Sequence, residues 1–131
     1  MNTTNPSVTI ELLNIIQDGF NRHDVDAILS HFAEDCEWLM ARGPTPWEAQ
    51  RLHGKQAIGD VLRARYAVIP DMRWEDMTHF ISPDCTKACS EWTVRGTPTD
   101  GSPNINLLGC DVWTFQEGKV TKKDTYWKVV T

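Results

Sequence analysis

The chain has 131 residues and carries 13 Lys and Arg against 18 Asp and Glu, which gives a net charge of −5. A length of this order suits one domain, spanning 1–131, whose core is large enough to fold without disulfides or metals. The acidic balance argues against nucleic-acid binding, and the lack of an apolar run of roughly 18 residues or of a signal peptide predicts a cytoplasmic protein that does not enter a membrane.

The first part of the chain is predicted to form two helices. Apolar residues between Leu12 and Phe20 recur at helical spacing, after a polar segment, residues 1–6, that we expect to be disordered. Asp24 is suited to cap a short second helix, whose apolar residues continue as far as Phe32. A short break therefore separates the two helices.

A strand, a loop and a third helix follow. The strand is expected at 36–41, and the loop at 42–51 is rich in proline. This loop either covers the mouth of a pocket or buries Trp47 as a single packed aromatic. The third helix is expected at 54–69, because Pro70 cannot continue a helix.

The second part of the chain is predicted to form strands, near 73–82, 87–97, 105–115 and 119–130. Helices followed by consecutive antiparallel strands are typical of the α+β class, in which helices pack on one face of a sheet. We therefore expect N-terminal helices on a curved, mostly antiparallel sheet.

The strand at 105–115 is apolar on both of its faces. Its odd positions meet the helices, which leaves Leu108, Cys110 and Val112 on the other side. Monomers rarely expose a contiguous apolar patch of this kind. We therefore predict a twofold homodimer formed through the outer face of the sheet.

The turn after this strand decides what lies beside Asp111. A three-residue turn that places Gly118 in the left-handed region avoids positive φ at Glu117. It sets Asp111 opposite Lys123, either as a structural ion pair or as an acid–lysine couple at the floor of a pocket. A two-residue turn sets Asp111 opposite Asp124 instead, as a carboxylate pair that shares a proton.

Several segments together resemble the nuclear transport factor 2-like superfamily, within it the SnoaL-like and ketosteroid-isomerase-like proteins. They are Phe20–Asp26, Phe32–Cys36, His53–Ile58, Asp111–Val120 and Tyr126–Trp127. The resemblance covers nearly the whole chain and implies a conical α+β barrel with a deep apolar pocket between helices and sheet. It does not fix the activity, because this fold hosts isomerases, dehydratases, cyclases and non-catalytic members.

The resemblance also implies catalytic positions. Asp111 matches the oxyanion-hole acid of ketosteroid isomerases, whereas their proton-shuttling carboxylate falls near Met40 and their oxyanion tyrosine near Ile16. His79 matches the histidine of scytalone-dehydratase-like members, but the position of its aspartate partner is Asn21. An amide orients an imidazole without stabilising the imidazolium as a carboxylate does.

The candidate catalytic residues are therefore His79 and Asp111. His79 alternates with apolar residues, so it is either a hydrogen-bonded core histidine or a general acid–base residue. The expected substrate-binding residues are Asn21, Trp38, Met40, Leu62, Tyr66, Trp113, Lys123 and Trp127. The other histidines, His23, His31 and His53, are expected at the surface.

These residues favour a cofactor-independent isomerase, dehydratase or cyclase that acts on a small apolar carbonyl or hydroxy compound. The alternative is a binding or protein-association module of the same fold, without chemistry. No phosphate-binding or dinucleotide motif occurs in the sequence, so neither a nucleotide cofactor nor a bound metal is expected. The partners expected are one small apolar molecule and a second copy of the chain.

Overall fold

The structure is a computed structural model that describes residues 8–45 and 47–130. The segment 1–6, expected to be disordered, lies outside the described residues. The helices are α1 (Ile10–Asn21), α2 (Val25–Leu29) and α3 (Lys55–Val68). Thr9 begins α1, because its Oγ1 accepts a hydrogen bond from the Leu12 amide at 3.0 Å. None of the described helices is long and apolar enough to cross a membrane.

The second helix is shorter than its apolar pattern predicts. Asp24 caps it as expected, by accepting a hydrogen bond from the Ala27 amide at 3.1 Å. The helix ends at Leu29, and Phe32 opens the first strand instead of closing the helix. The reason is tertiary pairing: Phe32 lies beside Val120 of the last strand and is buried there.

Six strands form one sheet. They are β1 (Phe32–Leu39), β2 (Arg51–His53), β3 (Arg73–Ile81), β4 (Lys87–Gly96), β5 (Ile105–Gln116) and β6 (Lys119–Trp127). Their order across the sheet is β2-β1-β6-β5-β4-β3, and only β1 and β6 run parallel. The α+β class with a curved, mostly antiparallel sheet is confirmed. The described edge strands, β2 and β3, do not pair, so the sheet is open.

The loop between β1 and α3 differs from the sequence prediction. It contains the short strand β2, which pairs with Glu37–Leu39 of β1. Three residues are too few to show a periodic pattern in a sequence. Trp47 is 90% exposed, so the prediction that this loop buries it is wrong.

The two faces of the sheet have different surroundings. The inner face, which the helices cover, is marked by one row of neighbours across β3 to β6: His79, Ser90, Asp111 and Thr125. The outer face is marked by the adjacent row: Thr78, Glu91, Cys110 and Tyr126. Cys110 and Val112 thus point away from the helices, as the alternation predicts.

The turn between β5 and β6 has two residues, so the three-residue prediction is wrong. Gln116 pairs with Lys119, and the two residues between them, Glu117 and Gly118, have φ of 52° and 77°. Positive φ at both positions is the pattern of a type I′ turn, whose twist matches that of a hairpin. Glu117 therefore adopts the left-handed conformation that glutamate usually avoids.

A bulge follows the turn and changes the register again. Phe115 pairs with Val120, whereas Thr114 pairs with Lys122, so one extra residue of β6 lies between them. Beyond the bulge, Asp111 is opposite Thr125, and neither predicted register is correct. The bulge nevertheless returns Lys123 to the inner face beside Asp111, because two one-residue shifts restore the alternation.

Candidate functional site

An ion pair is buried under the helices. Lys123 Nζ lies 2.8 Å from Asp111 Oδ1, and both side chains are almost fully buried. The predicted pairing of Asp111 with Lys123 is therefore present, although the two residues are diagonal neighbours rather than directly opposite. Asp124 points to the outer face, where its carboxylate accepts a hydrogen bond from the Tyr126 hydroxyl at 3.2 Å. The alternative of a carboxylate pair is therefore wrong.

Thr125 is the centre of the hydrogen bonds around this pair. Its Oγ1 donates to Asp111 Oδ1 at 2.6 Å and accepts from Lys123 Nζ at 3.0 Å. It also accepts from the indole nitrogen of Trp38 at 2.9 Å. These four residues form the buried cluster, in which both charges have hydrogen-bond partners as buried charges require.

The second carboxylate oxygen of Asp111 is held by an indole. Trp92 Nε1 donates to Asp111 Oδ2 at 3.0 Å. Gly109 makes this approach possible, because a Cβ at that position would lie 2.7 Å from the Trp92 ring. The strand therefore requires glycine at 109 in order to bring the indole over its inner face.

Lys123 lies in an aromatic environment. Its Nζ is 4.3 Å from the ring centre of Trp38, 5.3 Å from that of Phe20 and 5.6 Å from that of Trp113. Burial among these rings lowers the pKa of the Lys123 ammonium, and the charge of Asp111 opposes that effect. The rings also attract the cation, so the ammonium is desolvated but not isolated.

A cavity of about 220 Å³ adjoins the buried cluster at one end of the inner face. Thr125 and Trp38 belong to both the cluster and the cavity wall, so the cavity reaches the ion pair through the threonine hydroxyl. The cavity is lined mainly by Trp38, Met40, Arg42, Arg65, Thr125 and Trp127. It is smaller and more cationic than the deep apolar pocket that the resemblance implies.

Three of these lining residues were not selected from the sequence: Arg42, Arg65 and Thr125. Arg65 lies three residues after Leu62 and four after Val61, so helical spacing alone could have placed it on the apolar face of α3. Thr125 alternates with Lys123 and Trp127, so the sequence places it on the inner face, but its position opposite Asp111 depends on the bulge in β6. Arg42 follows from loop geometry that a single sequence does not specify.

His79 is not brought to this cavity. It lies two strands from Asp111, about 10 Å away at the usual strand spacing, and Ser90 separates them. Trp113 Nε1 donates to Ser90 Oγ at 3.0 Å, and the same hydroxyl is hydrogen-bonded to His79 Nδ1 at 2.7 Å. His79 Nε2 then donates to Asn14 Oδ1 at 3.0 Å. Both imidazole nitrogens therefore have hydrogen-bond partners, and burial lowers the pKa of His79.

Asn21 and Tyr66 are also outside the cavity. The Asn21 amide donates to the Trp74 carbonyl at 3.1 Å and accepts from the Trp74 amide at 2.8 Å, so it joins α1 to β3 and does not orient His79. The Tyr66 hydroxyl donates to the Phe20 carbonyl at 2.9 Å. Its ring stacks on His23 at 3.9 Å, so His23 is half-buried rather than a surface residue.

Of the other predicted binding residues, two belong to the core. Leu62 and Trp113 are fully buried, and neither lines this cavity. Trp38, Met40 and Trp127 do line the cavity, and Lys123 lies behind Thr125. Within residues 8–45 and 47–130, no group of three His, Cys, Asp or Glu is arranged to hold a metal ion.

A larger groove of about 510 Å³ crosses the outer face. Its walls include Thr78, Glu91, Leu108, Cys110 and Tyr126, which belong to the face that the helices leave uncovered. The smaller cavity is the better candidate for chemistry, because Thr125 in its wall bonds to both charges of the buried ion pair, whereas the groove reaches the pair only through Trp92, which bonds to Asp111 alone.

Comparison with known proteins agrees with this architecture. The sequence profile of the SnoaL-like domain family matches residues 14–123. No curated protein sequence matches the chain. One similar structure is a candidate polyketide cyclase from Pseudomonas putida, 22% identical with a TM-score of 0.78, which covers 91% of this chain and 90% of its own.

Two further structures have the same fold. A candidate isomerase from Bacillus subtilis is 18% identical with a TM-score of 0.75, and the match covers 90% of this chain and 84% of that one. An NTF2-like protein from Burkholderia pseudomallei is 21% identical with a TM-score of 0.76, over 91% and 89% of the two chains. The resemblance to the nuclear transport factor 2-like superfamily is therefore confirmed for the fold.

Proposed function

Because the chain belongs to the SnoaL-like domain family, we propose that it is a cofactor-independent enzyme that moves a proton on a small, flat carbonyl or hydroxy compound. Isomerisation, dehydration and ring closure of such compounds all include a proton transfer that a positioned side chain can accelerate. The names of two structural neighbours, a candidate cyclase and a candidate isomerase, support this range of reactions.

The observation that carries the proposal is the contact between the cavity and the buried ion pair. A buried ion pair gives little net stability compared with apolar residues of the same shape. The position of Asp111 and Lys123 directly behind Thr125, at the cavity wall, is therefore better explained by chemistry than by stability.

Thr125 provides a route for the proton. A bound substrate transfers a proton to Thr125 Oγ1, in place of one of the two hydrogen bonds that this oxygen accepts from Trp38 and Lys123, while the threonine proton passes along the 2.6 Å hydrogen bond to Asp111 Oδ1. Asp111 becomes neutral and the substrate becomes an anion, which the ammonium of Lys123 stabilises. Return of the proton from Asp111 through Thr125 to another atom of the substrate completes an isomerisation. His79 has no part in this route.

The test is exchange of the α-protons of 2-tetralone, an enolisable aromatic ketone, into D2O, followed by proton NMR. We expect the protein to accelerate exchange, and we expect Thr125→Val to reduce that acceleration at least about tenfold because it removes the relay. Thr125→Ser keeps a hydroxyl and should keep most of the activity.

Two controls accompany this test. Thr121→Val makes the same change elsewhere on β6, where the hydroxyl bonds only to the Thr114 carbonyl, and His79→Gln removes the histidine. Both variants should catalyse the exchange of the α-protons of 2-tetralone at the wild-type rate. The proposal would be contradicted if Thr125→Val accelerated exchange as much as the wild type does. It would also be contradicted if the wild type did not accelerate exchange at all.

A second candidate function is ligand binding without chemistry. Its support is that neither Asp111 nor Lys123 lines the cavity itself, since Thr125 and Trp38 lie between the ion pair and the cavity. Saturable binding of an aromatic ligand without any proton exchange would favour this function over the enzyme.

We also propose that two copies of the chain pair through their outer faces. Leu108 and Tyr126 are 53% and 55% exposed there, beside the half-buried Cys110 and Val112. Covering this apolar surface is favourable at about 25 cal/mol per Å² of apolar area. The cavity lies on the other side of the sheet, so pairing leaves it accessible.

A further inference from the structure

We infer that the cavity selects an aromatic anion of the carboxylate class and that Arg65 recognises its charge. This inference rests on the proposed function, because it concerns the same cavity, and it narrows the substrate class from apolar compounds in general to acidic ones.

The first support is the pairing of the arginines. Of the seven arginines in the chain, five form ion pairs with carboxylates in the structure: Arg22, Arg51, Arg63, Arg73 and Arg95. Arg42 and Arg65 form none with any described residue, and both line the cavity. The two arginines left without a carboxylate thus meet at one place.

The second support is the charge balance of the cavity. No Asp or Glu lines it, whereas two guanidinium groups do, and the ammonium of Lys123 lies behind Thr125. Burial removes part of the hydration of the Arg65 guanidinium and thereby lowers its pKa. A bound anion would restore the interactions that water provided.

The third support is the arrangement of the rings. The Arg65 guanidinium carbon lies 5.1 Å from the ring centre of Trp38, and that of Arg42 lies 5.6 Å from the ring centre of Trp127. An arginine stacked on an indole keeps the N–H groups at its edge free, and that edge matches a carboxylate with two parallel hydrogen bonds. The indoles offer flat surfaces for an aromatic ligand.

The size of the cavity limits the ligand. At about 220 Å³ it is smaller than the 300–1,000 Å³ usual for ligand sites. A compound of one or two fused rings with one acidic group fits this space, and a four-ring compound does not.

The test compares 2-naphthoate with 2-naphthamide, its neutral counterpart of nearly the same shape, by isothermal titration calorimetry at pH 7.5. We expect the carboxylate to bind at least tenfold more tightly to the wild type. Arg65→Gln should remove that preference. Arg63→Gln is the matched control, because it makes the same charge change on α3 at a residue already paired with Asp26, and it should keep the preference.

The results separate this inference from the proposed function. Equal affinities for the two probes, or a preference that survives Arg65→Gln, would overturn the inference even if Thr125-dependent exchange of 2-tetralone were observed. A carboxylate preference that depends on Arg65, together with exchange that does not depend on Thr125, would retain the inference and reject the relay. A thermal unfolding midpoint within a few degrees of the wild type shows that Arg65→Gln is folded.

Discussion

The two faces of strands β5 and β6 reverse the usual distribution of polar and apolar residues. On the inner face, Asp111, Lys123 and Thr125 are buried under the helices, where apolar residues are the rule. On the outer face, Leu108 and Tyr126 are largely exposed. Neither arrangement is the most stable one for an isolated chain, and each underlies one of the proposals above: a ligand at the inner face and a second copy at the outer face.

The largest effect is expected from removing one charge of the inner face. Lys123→Met leaves the Asp111 carboxylate buried without its cation, and loss of one partner of a buried pair costs about 3–5 kcal/mol. We expect the free energy of unfolding, measured by urea denaturation, to fall by that amount.

The double variant Asp111→Asn with Lys123→Met is the control for this experiment, because it removes both charges together. It should be more stable than Lys123→Met alone. If the single variant were as stable as the wild type, the ammonium would not be interacting with Asp111 as the structure shows.

A change of assembly is expected from a charge on the outer face. Val112→Glu introduces a carboxylate at the centre of the predicted contact, where two copies would face each other. Light scattering should give twice 14.9 kDa for the wild type and 14.9 kDa for the variant.

The matched control is Val129→Glu, which adds the same charge at a valine that is 82% exposed and lies beyond the end of β6. It should remain dimeric. A monomeric wild type at micromolar concentration would show that the apolar outer face has a different role.

The smallest effect is expected at His79, which shares the inner-face row with Asp111 but not the cavity. Burial lowers its pKa in the folded state. Below the unfolded pKa of about 6.5, the unfolded chain therefore takes up a proton before the folded one does. The contribution of His79 to the free energy of unfolding is therefore fully present above the unfolded pKa. It declines as the pH falls toward the lower pKa of the folded state.

The variant His79→Gln isolates this contribution, since it cannot take up a proton in this range. Urea unfolding at pH 7 and pH 5 should show a smaller loss of stability for the variant than for the wild type. Equal losses would mean that His79 has the same pKa in both states. The half-buried His31, whose pKa is also lowered, is unchanged in both proteins.

The alternation of residues along the strands predicted the face of the sheet on which each residue lies better than it predicted the register between β5 and β6. It placed Asp111, Lys123 and Trp127 on one side of the sheet, which is correct, because the side-chain period of a strand is two. The register was wrong by two residues, since the type I′ turn and the bulge each shift it by one. A type I′ turn matches the twist of the two paired strands, and this advantage outweighs the cost of positive φ at Glu117. The backbone preference of glutamate alone does not include the pairing of the strands.

The site was predictable only in part for the same reason. Trp38, Met40 and Trp127 were expected and line the cavity, whereas His79 was expected and does not. The alternation of His79 with apolar residues is the same whether the imidazole faces a cavity or a serine to which it is hydrogen-bonded. Which end of the inner face remains open depends on how side chains fill the space, and one sequence does not determine that packing.

The most direct test of the central claim, that the inner face binds the ligand, is a crystal structure of the protein with 2-naphthoate. We expect the rings in the cavity against Trp38 and Trp127, with the carboxylate within hydrogen-bond distance of Arg65. A ligand bound instead in the outer groove beside Leu108 and Tyr126, with the inner cavity empty, would contradict it.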